Sequence, residues 1–443
     1  MSGESPLPTD VTRPSPAATD EGIATARALA VKWLFPAPAL SWLEQTHTFG
    51  RDTGCDSVLP GEEVSRQHAR VVFQGLVPKL QDCGSRNGLH VNGQRIQEVV
   101  LSPGQVVRIG EWVGLVQELE AQAGTATLQE IVPGWFGGAL LCARVEPLRR
   151  VALGDLPIIV QGETGSGKEG AARAVHAFSK RTGPFVAVDC GAVAAQLADA
   201  LLFGHKKGAF TGAIHDSPGY LRAAHGGTLF LDEVLNLDLA TQAKLLRALE
   251  LREVVPVGEV RPVPVEVRVV CAAQRPLASA VRAGHFREDL RARLEGYCLT
   301  LPPLRERRED IVPLFLALLP ARVSVAISCE SRLIERLVLH DWPCNVRELA
   351  MLVKRLVALH GPGPLERSML PAEMCGTVSL TEPAPLSSSP LAPPVRKPAA
   401  DQAELFALLE AMRVHGGNLA AAARALGVSR SRRAWGSRQI PRS

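Results

Sequence analysis

An apolar run ending in Ile158, Ile159 and Val160 passes into QGETGSGKE, and GAARAVHAF then continues with helical spacing. This is G-x-x-x-x-G-K in strand, loop, helix order. Glycines let backbone N–H groups approach phosphates, the helix N-terminus suits an anion, and Lys168 reaches the β and γ oxygens. Gly162, Glu163, Thr164, Gly165, Ser166, Gly167, Lys168 and Glu169 are therefore the expected nucleotide-binding loop. Glu169 stands where a hydroxyl usually follows the lysine, so magnesium must rely on other groups. Further along, GGTLFLDEV runs an apolar strand into Asp232 and Glu233. At the strand tip Asp232 suits holding Mg²⁺, directly or through water, and Glu233 suits orienting or deprotonating an attacking water. Each motif alone has a bland reading, a glycine-rich turn or a solvated strand end. Together, in this order, they make ATP and Mg²⁺ the expected cofactors.

Strands such as LPIIV, PFVAV, TLFLD and VRVVC alternate with helical stretches, the pattern of a parallel α/β sheet. At 443 residues the chain exceeds one ordinary core, since a domain takes about 100–200 residues. A second unit precedes the phosphate loop: over residues 27–119 short alternating runs such as HARVVF and QVVRIG are parted by Gly, Asp, Asn and Pro, which predicts an all-β fold. The Pro/Ser/Thr-rich start, 1–26, and the run 377–400 can bury little, and both are expected to be flexible or polyproline-like. Hydrophobic residues at 46% and charged residues at 21% are those of globular domains. A net charge of +4 gives no overall field for nucleic acid, so DNA contact must come from a local patch, and Arg430, Arg432, Arg433, Arg438 and Arg442 supply one. The nine cysteines show no C-x-x-C pair, and no long apolar span or signal pattern is present. A cytoplasmic protein without structural metal or membrane contact is expected.

FGHKKGAFTGA, Phe203 to Ala213, resembles the signature loop of sigma-54 activators, bacterial enhancer-binding proteins of the AAA+ class, and the resemblance extends through FREDLRARL, LPPLRERREDI and DWPCNVREL. It implies an α/β AAA+ domain at 134–304, a helical lid at 305–376, and a 120–133 linker before them. It also implies that Gly208, Ala209, Phe210, Thr211, Gly212 and Ala213 form the surface loop that grips sigma-54, with Phe210 and Thr211 at its tip. Arg287 and Arg293 fall on the arginine-finger positions that reach a neighbouring subunit's nucleotide, where a planar guanidinium spans developing phosphoryl charge. A ring, usually a hexamer, is thereby implied. Arg347 matches the lid's sensor arginine and Gln274 the first sensor's usual Asn. Three positions depart from the family. Asp189 replaces an Asn that hydrogen-bonds the catalytic Glu, so two carboxylates are expected to face each other at Asp189 and Glu233, raising one pKa or pushing the side chains apart. Gln274 adds a methylene, and Cys344 replaces a Gly. These departures leave a reduced ATPase rate open.

GRDTGCDSVLPGEEVSRQHARVVF followed by DCGSRNG resembles the forkhead-associated (FHA) family, whose spaced elements appear here as Gly50-Arg51, Ser65-x-x-His68 and Asn87-Gly88. The resemblance implies a β-sandwich that reads phosphothreonine. Arg51 and Ser65 would bind phosphate, with the Arg66 N–H nearby, and Asn87 would clamp the peptide backbone. His68 is expected to support the loop from within. At 401–443, HGGNLAAAARALGVSR resembles the first helix and turn of a Fis-type helix-turn-helix, but Gly436 and Pro441 break the segment where a recognition helix would follow. A truncated motif with weak, sequence-independent DNA binding is expected, helical over Asn418 to Leu426 and irregular after Ser429. The combined reading is a multidomain ATPase that remodels sigma-54 RNA polymerase holoenzyme under control of a phosphothreonine protein. The alternative is a phosphopeptide-binding regulator with a weak or inactive AAA+ module.

Overall fold

The computed structural model describes residues 27–43, 46–120, 128–193, 195–320, 328–361 and 363–375. The 1–26 tail, the 377–400 run and the 401–443 segment, with the helix expected at Asn418 to Leu426, lie outside the described residues.

The amino-terminal unit is built from β1 (Arg27–Phe35), β2 (Ala39–Trp42), β3 (Thr46–Gly50), β4 (Ser57–Val58), β5 (Ala69–Gln74), β6 (Val77–Asp82), β7 (Leu89–Val91), β8 (Gln94–Ile96), β9 (Glu98–Val100), β10 (Val106–Ile109) and β11 (Trp112–Glu120). They form two sheets, ordered β2-β1-β11-β10-β7-β8 and β4-β3-β5-β6-β9. Alternate residues of a strand point to opposite faces. Val31 and Trp33 of β1, Val107 and Ile109 of β10 and Val71 of β5 accordingly meet between the sheets. Trp33 anchors this core with edge-on contacts to Phe49 and Trp112, each at 5.8 Å between ring centres.

Within the segment expected as linker lies β12 (Gln129–Val132), which pairs antiparallel with β13 (Trp135–Gly137) at the start of the expected α/β domain. The turn between them places Gly134 at φ 79°, the left-handed region glycine adopts without strain. The parallel sheet follows: β14 (Ile158–Gln161), β15 (Phe185–Asp189) and β16 (Thr228–Asp232), then the short hairpin β17 (Glu253–Val254) and β18 (Val263–Pro264), then β19 (Arg268–Ala273) and β20 (Tyr297–Thr300). The order β15-β16-β19-β14-β20 is parallel throughout. Ile158 and Val160 pack on Ala171, Ala172 and Val175 of the helix Lys168–Phe178, whereas Ile159 between them joins the core of the opposite face. Helices therefore cover both faces of the sheet, as near-continuous apolar strands require.

The lid helices Ile311–Leu318, Ser331–Leu339 and Asn345–His360 enclose Trp342, which is fully buried. Their core does not stop at the lid. Leu34, Val106, Val113 and Leu115 of the sandwich belong to the same buried cluster as Phe315, Leu337 and Val338. Every residue of β10 is consequently buried, Arg108 included. Arg108 donates through Nε to Glu335 Oε2 at 2.8 Å, and the two side chains are 7% and 5% exposed. Gln117 with Glu309 at 3.3 Å, and Arg308 with the Gly104 carbonyl at 3.3 Å, rim the contact.

Candidate nucleotide site, sigma-54 loop and phosphopeptide loops

In an open α/β sheet, ligands bind beyond the carboxyl ends of the strands. The ends of four neighbouring strands here carry the phosphate loop (β14), Asp189 (β15), Asp232 and Glu233 (β16) and Gln274 (β19). The loop reverses through Gly165 at φ 73° and Gly167 at φ 108°. Gly167 forms the N-cap of the helix, which leaves the helix dipole's positive end in the loop. A side chain at Gly165 would strike the Cys344 carbonyl and Arg347, and one at Gly167 would strike Trp135. The lid and the β12–β13 hairpin thus close on the loop from two sides.

Lys168, 7% exposed, points its Nζ at the carbonyls of Gly162 (3.2 Å) and Glu163 (3.5 Å) and at Glu233 Oε1 (3.4 Å). These long contacts leave an ammonium available for anionic oxygens. Asp232 has its carboxyl raised above the ordinary carboxylate range by burial, with Lys168 opposing and Glu233 and Asp189 adding to the rise. Glu233 sits at φ 52°, a sparsely populated conformation for a residue with a side chain, and accepts from Gln274 Nε2 at 2.9 Å. Asp189 turns its carboxylate to the Gly191 N–H at 2.8 Å. The two carboxylates expected to oppose one another have taken separate donors, the outcome that like-charge repulsion favours.

Glu169 is not drawn into the loop: it is exposed and pairs with Arg173 one helical turn on, at 2.7 Å. Glu163 is held by Arg305 at 2.6 and 2.8 Å and by Asn345 Nδ2 at 3.2 Å, and the Arg305 bonds keep its carboxyl below the ordinary range. Asn345 Nδ2 also donates to the Thr164 carbonyl at 3.0 Å, the Val346 N–H to the Gly165 carbonyl at 3.1 Å, and Arg307 to the Ser166 carbonyl at 3.0 Å. Arg305, Arg307 and Asn345 were not singled out from sequence, although they lie in LRERRED and CNVREL. Arg347 is exposed beside Gly165. Ser166 Oγ is buried without a partner. Among the described residues, no group of three or more His, Cys, Asp or Glu is arranged to hold a metal ion alone.

Arg287 and Arg293 are both exposed at the helix Glu288–Leu294. Arg287 pairs with Asp289 at 2.7 Å and Arg293 donates to the Leu249 carbonyl at 3.2 Å, so neither touches the chain's own phosphate loop in these contacts. The GAFTGA segment is a closed loop, the Gly208 N–H donating to the Ala213 carbonyl at 2.8 Å. Gly208 (φ 81°) and Gly212 (φ 101°) make its corners, and among the described residues nothing beyond their immediate chain neighbours lies within 4 Å of where their side chains would be. Phe210 rests edge-on against His205 at 5.0 Å, Ala209 packs near Gly258, and Thr211 is exposed.

On the sandwich, a side chain at Gly50 would meet the Arg66 carbonyl, which explains the glycine before Arg51. The Arg51 N–H donates to the Ser65 carbonyl at 3.0 Å, and Ser65 Oγ accepts from the Arg86 N–H at 3.1 Å. Asn87 Nδ2 donates to the Glu63 carbonyl at 2.8 Å. His68 is fully buried: its Nδ1 accepts from the Ser65 N–H at 3.1 Å, so Nε2 carries the proton toward the Gly88 carbonyl at 3.3 Å. Burial lowers its pKa and keeps the ring neutral. His68 thus ties the Ser65 turn to the Asn87-Gly88 turn. The side chains of Arg51, Arg66 and Asn87 are exposed above this frame.

Family models match four stretches: Sigma-54 interaction domain at residues 139–300, FHA domain at 47–110, AAA+ ATPase lid domain at 305–384, and Bacterial regulatory protein, Fis family, at 401–432. The sigma-54-dependent transcriptional activator SfnR of Pseudomonas putida is 44% identical over 224 residues, 49% of this chain and 61% of SfnR. The acetoin catabolism regulatory protein of Cupriavidus necator is 36% identical over 389 residues, 84% of this chain and 56% of that protein. The chain thus spans about three-fifths of the length of these curated relatives. The crystal structure of NtrX from Brucella abortus is 30% identical with a TM-score of 0.50, covering 68% of each chain, and that protein has also been solved with ADP and with ATP. By these matches, with the geometry above, the chain belongs to the sigma-54-dependent transcriptional activators of the AAA+ class and carries an FHA domain on the amino-terminal side of its ATPase module.

Proposed function

We propose that the chain hydrolyses ATP to remodel the closed complex of sigma-54 RNA polymerase holoenzyme at a promoter, and that a phosphothreonine protein bound to its FHA domain governs this activity. The observation that carries the reading is the convergence of Lys168, Asp232, Glu233 and Gln274 on one glycine-cradled loop, beneath a lid that is bonded to that loop. These residues fit a nucleotide: the cradle is open backbone, and the lysine's present contacts are long enough to be exchanged for phosphate. Bound Mg²⁺ supplies charge neutralisation at the β and γ oxygens. Asp232 is the carboxylate placed to hold the ion, and a cation beside it offsets the burial and neighbouring carboxylates that now disfavour its ionised form.

In this reading Lys168 gives up Glu233 for phosphate, and Glu233 takes the attacking water's proton. Arg347 senses the nucleotide from the lid. Arg287 and Arg293, both exposed, serve the nucleotide of a neighbouring copy in a ring. Gly208 to Ala213 engage sigma-54, with Phe210 and Thr211 at the tip. On the sandwich, Arg51, Ser65 and the Arg66 N–H take the phosphate, and Asn87 keeps Oδ1 for a peptide N–H. DNA is met by the 401–443 segment, weakly and without sequence preference. No helix among the described residues is long and apolar enough to cross a membrane, and the proposed setting is the cytoplasm, where sigma-54 polymerase works. The test is open-complex formation on a sigma-54 promoter with ATP, with and without phosphothreonine peptide. Opening that needs ATP and changes with the phosphopeptide, but not with its unphosphorylated form, supports the reading. Absence of ATP-dependent opening in both conditions refutes it.

A further inference from the structure

The carbonyls of the phosphate loop point two ways. Those of Gly162 and Glu163 face Lys168 Nζ, whereas the next three face the lid. Thr164 accepts from Asn345 Nδ2 at 3.0 Å, Gly165 from the Val346 N–H at 3.1 Å and Ser166 from Arg307 Nη2 at 3.0 Å. Val346 lies in the first turn of the helix Asn345–His360, where N–H groups have no partner inside the helix, so the loop caps the lid. A peptide unit is planar and trans, so a carbonyl held toward the lid sends the next residue's N–H the opposite way. The three bonds therefore aim the N–H groups of Gly165, Ser166 and Gly167 away from the lid. Ser166 uses its N–H on the Glu163 carbonyl at 3.2 Å, closing the turn, while those of Gly165 and Gly167 take no hydrogen bond among the described residues. Backbone N–H groups gathered by such turns, here at glycines with φ 73° and 108°, make a concavity that binds anions.

We propose that Asn345 and Arg307 are positioning residues for the phosphate chain of the nucleotide, acting on it through the loop peptides that they hold. The proposal rests on the loop being a nucleotide site. Asn345 is fully buried at φ 53°, and its one amide serves two segments: Oδ1 accepts from the Leu304 N–H at 2.7 Å while Nδ2 holds the Thr164 carbonyl. Arg307 is 1% exposed, its Nε has no partner, and Asp310 Oδ2 stands 3.7 Å away, beyond hydrogen-bond reach. The Ser166 carbonyl is thus the acceptor its guanidinium bonds among the described residues. Burying a guanidinium for one carbonyl is costly to the fold. What the contact fixes is the peptide between Ser166 and Gly167, and with it the Gly167 N–H at the mouth of the helix. Without these donors the loop's peptides are free to turn, and the loss falls on phosphate rather than on base or ribose.

The experiment measures by calorimetry, on the full chain with Mg²⁺, the Kd for ADP and for inorganic tripolyphosphate, which has no base or ribose. The variants are Asn345→Gly, Arg307→Lys, Asp310→Asn, and Arg307→Met with Asp310→Asn. Glycine keeps the positive φ at position 345 without strain, and the double replacement leaves no uncompensated charge in the core. Asn345→Gly and the double variant are expected to weaken both ligands by the same factor, about ten- to a hundredfold, the scale of one charge-assisted hydrogen bond to phosphate. Asp310→Asn alone should match the parent, and Arg307→Lys, which keeps a donor for the Ser166 carbonyl, should recover most of the affinity lost in the double variant. Parental affinity for both ligands in Asn345→Gly and in the double variant overturns the proposal. So does a loss confined to ADP, which would put these residues at the base or ribose. Unfolding followed by Trp342 fluorescence shows which variants keep the lid core, and if the Arg307 variants do not fold, Asn345→Gly decides alone. A parent that binds neither ligand would instead overturn the nucleotide reading of the loop.

Discussion

Replacing Arg108 by Met would test whether the FHA sandwich is seated on the ATPase lid. Arg108 and Glu335 are 227 positions apart in sequence, joined at 2.8 Å and almost fully enclosed. Glu335 Oε1 already lacks a partner, so Arg108 is what compensates its buried charge. Removing one member of a buried pair leaves the other uncompensated and costs about 3–5 kcal/mol, whereas replacing both by apolar residues of similar volume is neutral or stabilising by about 1–4 kcal/mol. Arg108→Met should therefore destabilise the chain by about 3–5 kcal/mol, and Arg108→Met with Glu335→Leu should recover most of that loss. Urea unfolding followed by tryptophan fluorescence reports both sides, because Trp33 and Trp112 lie in the sandwich and Trp342 in the lid. The single variant should bring the Trp342 transition to lower urea, and the double variant should return it. A loss below about 1 kcal/mol in the single variant, the value of a solvated surface pair, would refute the reasoning and mean that water reaches this face of β10 in solution.

Thr211→Ala should keep ATPase activity but fail to open sigma-54 promoters, because Thr211 is exposed and, among the described residues, the loop's backbone hydrogen bonds run within Lys206 to Ile214; parallel loss of both activities would make the loop structural. Arg51→Ala and Ser65→Ala should each weaken phosphothreonine peptide binding by about 1.5–3 kcal/mol, roughly ten- to a hundredfold, and unchanged affinity in calorimetry for both would remove the assignment. Burial pushes Asp310's carboxyl up from 3.8 to about 6, against the Gly138 N–H and Arg307. A pKa raised in the folded state means the folded chain holds the proton more tightly, so this group's contribution is full below about pH 4 and lost as pH rises to about 6. Asp310→Asn should remove a fall on the order of 3 kcal/mol across that window, measured as the difference between the stability–pH curves of parent and variant; identical slopes would contradict it.

The sequence by itself determined what depends on neighbours along the chain. QGETGSGKE between an apolar strand and a helix defines a phosphate loop because glycine conformations and helix ends are local properties. TLFLDE defines a buried strand with a carboxylate at its tip for the same reason. The Gly50-Arg51, Ser65 to His68 and Asn87-Gly88 spacings were legible because each turn makes its own geometry, and His68 joins two of them. Tertiary structure decided the partners. Alternation in QVVRIG assigns Arg108 to the face opposite Val107 and Ile109, where water is the default; the lid covers that face, and Glu335 meets the charge from a distant helix. Glu169 is the exception, since its partner Arg173 stands one turn on along the same helix and that local pair takes the carboxylate away from the loop. The resemblance implies that Asp189 and Glu233 face each other, but Asp189 took the local Gly191 N–H and Glu233 met Gln274 because β16 and β19 lie side by side. Arg305 and Asn345 reached the loop only because the lid folded over it. Periodicity and spacing record which face a residue is on, whereas a hydrogen bond or ion pair is chosen by whichever group packing brings within about 3 Å.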